Sequence, residues 1–146
     1  MKEMLELAEQ AVEAAKVWKL DLDYSAESLE GLEWLAEKVF RLNRMLSLPE
    51  DFLTDVANAY GAYLGEVLLR CGLKDLDFSW VKNEEGEIGI GREDMWTAPV
   101  NKVYKRITQG PEQSLMDFFE CVFGLAIGAV DLNDPRIHML SEEEAS

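Results

Sequence analysis

The residues best suited to chemistry stand together in Asn58-Ala59-Tyr60-Gly61-Ala62-Tyr63-Leu64-Gly65-Glu66, where two tyrosines, two glycines and a carboxylate share an otherwise apolar segment. A carboxyl group withdrawn from water has its pKa raised, because burial disfavours the charged form, and beside a phenol donor it can serve as a general acid or base. The same residue types also build structural hydrogen-bond networks, and ion pairs that only hold a fold are commoner than catalytic carboxylates. Downstream, Trp80 and Trp96 offer large aromatic walls for a ligand cleft or a protein interface. Tyr60, Tyr63, Glu66, Trp80 and Trp96 are therefore the candidate pocket or interface residues, with no catalytic set assigned.

A second cluster is cationic. Residues 98–110 carry Lys102, Lys105 and Arg106 with no acid, whereas residues 1–37 hold ten acids against three bases. One face of the 98–110 segment could receive an anion, but the acidic first segments would attract it within the same molecule, so internal ion pairing is the simpler use.

Other chemistries find no support in the residues. Asp21-Leu22-Asp23-Tyr24-Ser25 has the alternating oxygens that open a calcium loop, but Ala26 stands where such a loop needs glycine and Leu32 where it needs a bidentate glutamate. The acids Glu84, Glu85 and Glu87 read as a solvated hairpin tip. His138, the single imidazole, lies in a tail-like segment with no nearby Ser or Cys in a nucleophile-elbow or Cys-His context, so a triad is not indicated, and with Cys71 and Cys121 fifty residues apart a Cys/His zinc site is excluded. The glycines of 86–91 do not precede a helix in a βαβ unit, and no phosphate-cradling GxxxxGK[ST] occurs. No metal and no cofactor is expected.

The charge bears on partners. With 29 Asp and Glu against 14 Lys and Arg, the 146-residue chain carries a formal −15. Such a surface repels nucleic-acid phosphates and would steer a basic protein or a cationic ligand toward itself. The longest uncharged apolar run, residues 121–130, is half the length a bilayer needs. A charged N-terminal stretch with Glu3, Glu6, Glu9 and Glu13 does not read as a secretory signal, which leads to the expectation of a cytoplasmic protein with free thiols and no membrane association.

The elements that must position these residues follow from periodicity. Apolar residues spaced by three and four predict an amphipathic helix over 1–19, with Trp18 on its stripe. A second helix is predicted from an N-cap at Ser25 to about Leu46, burying Leu29, Leu32, Leu35, Ala36, Val39, Phe40 and Leu42. A third opens with Ser47-Leu48-Pro49-Glu50 as a capping box and closes at Gly72. Its interior Ala57, Gly61 and Gly65 call for close approach by another backbone, since each glycine costs about 1 kcal/mol relative to alanine. The period then switches to two: Leu76, Phe78 and Trp80, a turn at Asn83-Glu84-Glu85-Gly86, and Ile88 and Ile90 predict a β-hairpin, with a third strand through Met95 and Trp96. A helix from Pro99 to Gly110 and a final apolar helix, expected to be the central core helix, complete the chain before an irregular acidic tail over 131–146. The expectation is one α+β domain over 1–146: three N-terminal helices, an antiparallel sheet of two or three strands, and two C-terminal helices.

In the stretch from Tyr60 to Glu66, then Trp80, then Pro99-Val100 and Val103 through Gly110, the sequence resembles a group of small bacterial proteins. These have an acidic helical start, an AYLGE helix, a tryptophan-bearing strand and a proline-to-glycine helix before an apolar end. The resemblance covers about residues 25–125, implies a bacterial origin, and brings no activity with it, so Glu66, Trp80 and Lys105 remain candidates only. Short acidic proteins of this kind also resemble mobile-gene cargo and toxin-neutralising immunity proteins. The functional expectation is a non-enzymatic binding or interaction protein that engages a basic partner, or a homodimer. The alternative is a small-molecule binder or hydrolase-like enzyme with its cleft between the third helix and the hairpin around Glu66.

Overall fold

The computed structural model describes residues 1–93 and 95–128. Five α-helices run in the order α1 (Lys2–Lys16), α2 (Leu29–Leu46), α3 (Glu50–Cys71), α4 (Pro99–Gln109) and α5 (Leu115–Ala126). Between α3 and α4 lie a 3-10 turn (Leu73–Leu76) and three strands, β1 (Ser79–Lys82), β2 (Ile88–Arg92) and β3 (Met95–Thr97). The strands form an antiparallel sheet in sequence order, with Trp80 opposite Ile90 and Gly91 opposite Trp96. The architecture is α+β, with three helices before the sheet and two after it. The 131–146 tail and His138 lie outside the described residues.

The middle of the molecule is α3. Its buried residues are not confined to a stripe: Ala57, Ala59 through Gly65, and Val67 through Leu69 are all buried, so the helix is enclosed on several sides. A helix apolar all round belongs inside a core. On one flank α1 approaches through Met4, Ala8, Ala11 and Ala15, spaced by four, three and four and small enough to let the two helices close. On another flank α4 comes so near that a Cβ on Gly61 would stand 2.4 Å from the Val100 Cα. The interior glycine is thus compensated by backbone approach. At Gly65 the neighbour is a side chain, since a Cβ there would meet Trp80 Cη2 at 2.2 Å.

Several boundaries differ from the sequence reading for local reasons. The central helix is α3, not α5: the latter buries Leu115, Phe118, Cys121, Val122 and Ala126 on one face and leaves Phe119 and Phe123 half-buried. Ser47 does not open α3. It sits in the left-handed region at φ 50° and closes α2, with its amide donating to Asn43, and α3 begins after Pro49 without a side-chain cap. Ser25 lies in a turn before α2, where its hydroxyl accepts from the Ser28 amide, so regular helix starts only at Leu29. Ser114 caps α5 by accepting from the Asp117 amide, later than the Gly110-Pro111 start expected. Leu42 and Trp18, both assigned to buried stripes, are exposed.

Candidate functional site

Glu66 is held from two sides. The Trp80 indole N–H donates to one carboxylate oxygen at 2.8 Å, and Arg70 Nε, one turn along α3, reaches the other at 3.4 Å. The glutamate side chain is 14% exposed. Trp80 can reach it because Gly65 leaves room for the Cη2 and Cζ2 atoms of the indole against the helix, with Ile90 beside them. The space expected to be a cleft between α3 and the hairpin is therefore occupied by Trp80, and Glu66 acts as the acceptor that locks β1 onto α3. Its partners are Trp80 and Arg70, neither Lys102 nor Lys105.

The two tyrosines have separate fates. Tyr63 is fully buried, and its hydroxyl bonds Ser28 Oγ at 2.6 Å while accepting from the Tyr24 amide at 2.8 Å. This satisfies a backbone N–H in the α1–α2 connection, where Tyr24 has a positive φ of 67°. Burial pushes the Tyr63 phenol above its ordinary pKa, partly offset by the Ser28 bond. The Tyr24 ring packs tilted by 31° against Tyr63 with centroids 4.8 Å apart, the Arg70 guanidinium lies 3.6 Å over it, and its hydroxyl donates to Glu9 at 2.6 Å. Tyr60 is buried too, and burial alone raises its pKa. Trp96 lies across β2, where a Cβ on Gly89 would stand 2.5 Å from its Cε2, and its indole N–H is buried with no partner among the described residues. The five candidates thus do not converge on one open site.

The cationic helix α4 is turned inward. Arg106 is 4% exposed and bridges two carboxylates of α2, with Nε 2.9 Å from Glu33 and Nη2 2.9 Å from Glu37. Glu33 also accepts from the Met116 amide at 3.1 Å, from the Leu115 amide, and from Ser114 Oγ at 3.2 Å, and so fills the N-terminus of α5 where the helix dipole favours a negative charge. One carboxylate ties α2, α4 and α5 together. Glu37, bonded to Arg41 and Arg106, is held below its ordinary pKa chiefly by the Arg41 bond. Lys102 is fully buried and donates to Gln113 Oε1 at 2.9 Å, 5.9 Å from the Phe118 ring centroid. Lys105 is half-buried and also engaged.

The Asp21–Ser25 loop is explained by hydrogen bonds. Asp23 Oδ1 accepts from both the amide and the hydroxyl of Ser25, which lowers the Asp23 pKa. Among the described residues no three His, Cys, Asp or Glu side chains gather as a metal site would require. No disulfide joins Cys71 and Cys121, and no described helix is long and apolar enough to cross a membrane.

A groove opens elsewhere, between α1, α3, the β1–β2 turn and the start of α4, with a volume of about 510 Å³. Met4, Leu7, Ala57, Ile88 and Val100 give it an apolar floor, Asn58 and Asn101 line it, and Glu3 and Glu87 supply its carboxylates. Tyr104 also lines it, its hydroxyl donating to Glu50 at 2.6 Å, a bond that raises the phenol pKa. Sequence reasoning missed this groove because its residues come from four elements and share no motif. It missed a second surface as well. Trp18 and Trp34, 51% and 43% exposed, meet edge to face at 5.5 Å, with Lys38 Nζ 4.4 Å from both rings. No protein-family model matches the chain, and neither a curated protein nor a solved structure matches it.

Proposed function

We propose that this chain is a non-enzymatic binding domain of the bacterial cytoplasm, and that its acidic groove takes a basic segment of a partner protein. The observation that carries the reading is the groove itself: some 510 Å³ in volume, with apolar lining residues and with Glu3 and Glu87 along it. Lysine and arginine have the matching form, an aliphatic stem that packs on apolar surface and a charged head that pairs with carboxylates. A net charge of −15 adds a long-range pull on such a partner, felt within a Debye length of about 8 Å at physiological salt. Glu66, closed in by Trp80 and Arg70, has no enzymatic part in this reading.

The test is fluorescence anisotropy with a fluorescein-labelled peptide of alternating leucine and lysine. Binding should weaken about tenfold in the Glu3→Gln/Glu87→Gln double variant, the loss of two charge-assisted contacts. It should change little in Glu27→Gln/Glu112→Gln, which removes the same charge from exposed positions outside the groove. Equal weakening in both variants would reduce the effect to bulk charge and remove the groove from the account. A second reading, a small organic cation, uses the same site, whose volume lies within the usual range for small-molecule sites. Binding of free arginine as tight as that of the peptide would favour it.

A further inference from the structure

The outer face of α2 separates its charges along its length. Residues 27–37 contain Glu27, Glu30, Glu33 and Glu37 with no base, and residues 38–49 contain Lys38, Arg41 and Arg44 with no acid. Threaded between them on the same side of the helix are exposed apolar residues: Trp34, Leu42 and Met45, the last 78% exposed, with Leu46 following and Trp18 alongside Trp34. At 100° per residue, Glu30, Trp34, Lys38, Arg41 and Met45 fall within about 40° of one line. Among the described residues the chain makes few claims on this face: Arg41 pairs along the helix with Glu37 at 2.6 Å, and Lys38 lies over the two indoles. Glu30 makes no side-chain hydrogen bond or ion pair there, and Arg44 only stacks 5.6 Å from the Phe40 ring. Half-buried Glu33 and buried Arg106 face the other way, into the α2–α4–α5 contact.

Such a gradient complements the helix's own dipole, and it also makes the face complementary to itself. We infer that two copies of this chain pair through α2 in antiparallel fashion about a two-fold axis passing between Glu37 and Lys38. With that axis, Glu30 of each copy stands opposite Arg44 and Met45 of the other, Trp34 opposite Arg41, and Glu37 opposite Lys38. Acidic half then meets basic half twice, the Trp34 ring receives a guanidinium, and Trp18, Leu42 and Met45 lose water around that centre. Parallel pairing would set like charges opposite each other. An anionic membrane, the other surface that a cationic apolar face suits, is disfavoured because outside residues 38–49 the chain carries −18. The groove lies on α1, α3, the hairpin turn and α4, so the inference stands apart from the proposed function and either can fail alone.

Sedimentation velocity at 0.15 M salt over 1–300 μM protein tests it through a charge swap. The wild type should show a reversible monomer–dimer equilibrium. Glu30→Arg and Arg44→Glu, each turning two symmetric attractions into repulsions, should each raise the dimer Kd about tenfold or more. The Glu30→Arg/Arg44→Glu double variant, and an equimolar mixture of the two single variants, should restore association. These are exposed side chains without ion-pair partners among the described residues, and unchanged circular dichroism shows that folding is kept. A wild type monomeric throughout the range overturns the inference. So does a dimer indifferent to the single changes, or a double variant as weak as the singles, since either places the contact elsewhere.

Discussion

Replacing Glu33 by alanine should destabilise this protein more than any other single loss of a charged side chain among the described residues. The change withdraws one of two carboxylates from a guanidinium that is 4% exposed, and it removes the acceptor used by Ser114 and by the Leu115 and Met116 amides. Breaking a buried pair by deleting one partner costs about 3–5 kcal/mol. The low end applies here, because Glu37 still holds Arg106 and the Glu33 side chain is one-fifth exposed. Loss of the Glu33 acceptor at the α5 N-terminus, where Ser114 stays as cap, adds about 1 kcal/mol, for a total of about 4 kcal/mol, or roughly 10 °C in Tm for a chain of this length. Arg106→Met should cost less, about 2 kcal/mol, because Glu33 keeps its three donors at the α5 terminus. Urea unfolding followed by circular dichroism gives both values. A loss under about 1 kcal/mol for Glu33→Ala, or a larger loss for Arg106→Met, would refute the reasoning that this carboxylate joins three helices.

Gly61→Ala and Gly65→Ala should each lose about 3 kcal/mol in the same assay, since the new methyl group would press on the Val100 backbone or the Trp80 ring; near-neutral effects would mean that α4 or Trp80 can retreat. Trp80→Phe, which leaves a smaller aromatic ring and removes the N–H that Glu66 accepts, should cost at least about 1–2 kcal/mol, and this loss should shrink when Glu66 is also changed to Gln. Because Glu37 has its folded pKa lowered by Arg41 and Arg106, its contribution is complete above the unfolded value of about 4.3 and fades as pH falls through the lower folded value. Stability of Glu37→Gln should therefore depend less on pH between about 5 and 3 than that of wild type, and parallel curves would contradict the sign. Cys71, whose thiol pKa burial raises, should react with a disulfide reagent at pH 8 about tenfold more slowly than in unfolded protein; equal rates would show that the thiol is open to solvent.

The fold was readable because its signals are local. Apolar spacing marks α1 to α5, the change of period near Leu76 marks the sheet, and the glycines at 61 and 65 announce a close approach before the partner is known. What periodicity could not supply is which side of a helix meets a neighbour. Leu42 continues the α2 stripe, yet it is exposed, because the packing of α2 against α4 uses residues nearer its start. Trp18 completes the α1 stripe on paper, but α1 stops at Lys16 and the indole swings out to meet Trp34. The aromatic pair that looked closest to a site, Trp80 and Trp96, is the pair packed against glycines. The clamp on α5 was hidden for a simpler reason: Glu33 and Arg106 are 73 residues apart, and nothing beside either names the other. The groove draws a few residues from each of four segments, a convergence that only tertiary structure defines.

The most direct test of the central claim is an amide chemical-shift titration of isotopically labelled protein with the leucine–lysine peptide. Saturable shifts clustered at Leu7, Asn58, Ile88 and Asn101, abolished in Glu3→Gln/Glu87→Gln, are the predicted result. Shifts spread evenly over the acidic surface, or clustered instead around Glu66 and Trp80, would contradict the account of a groove built to hold a basic segment.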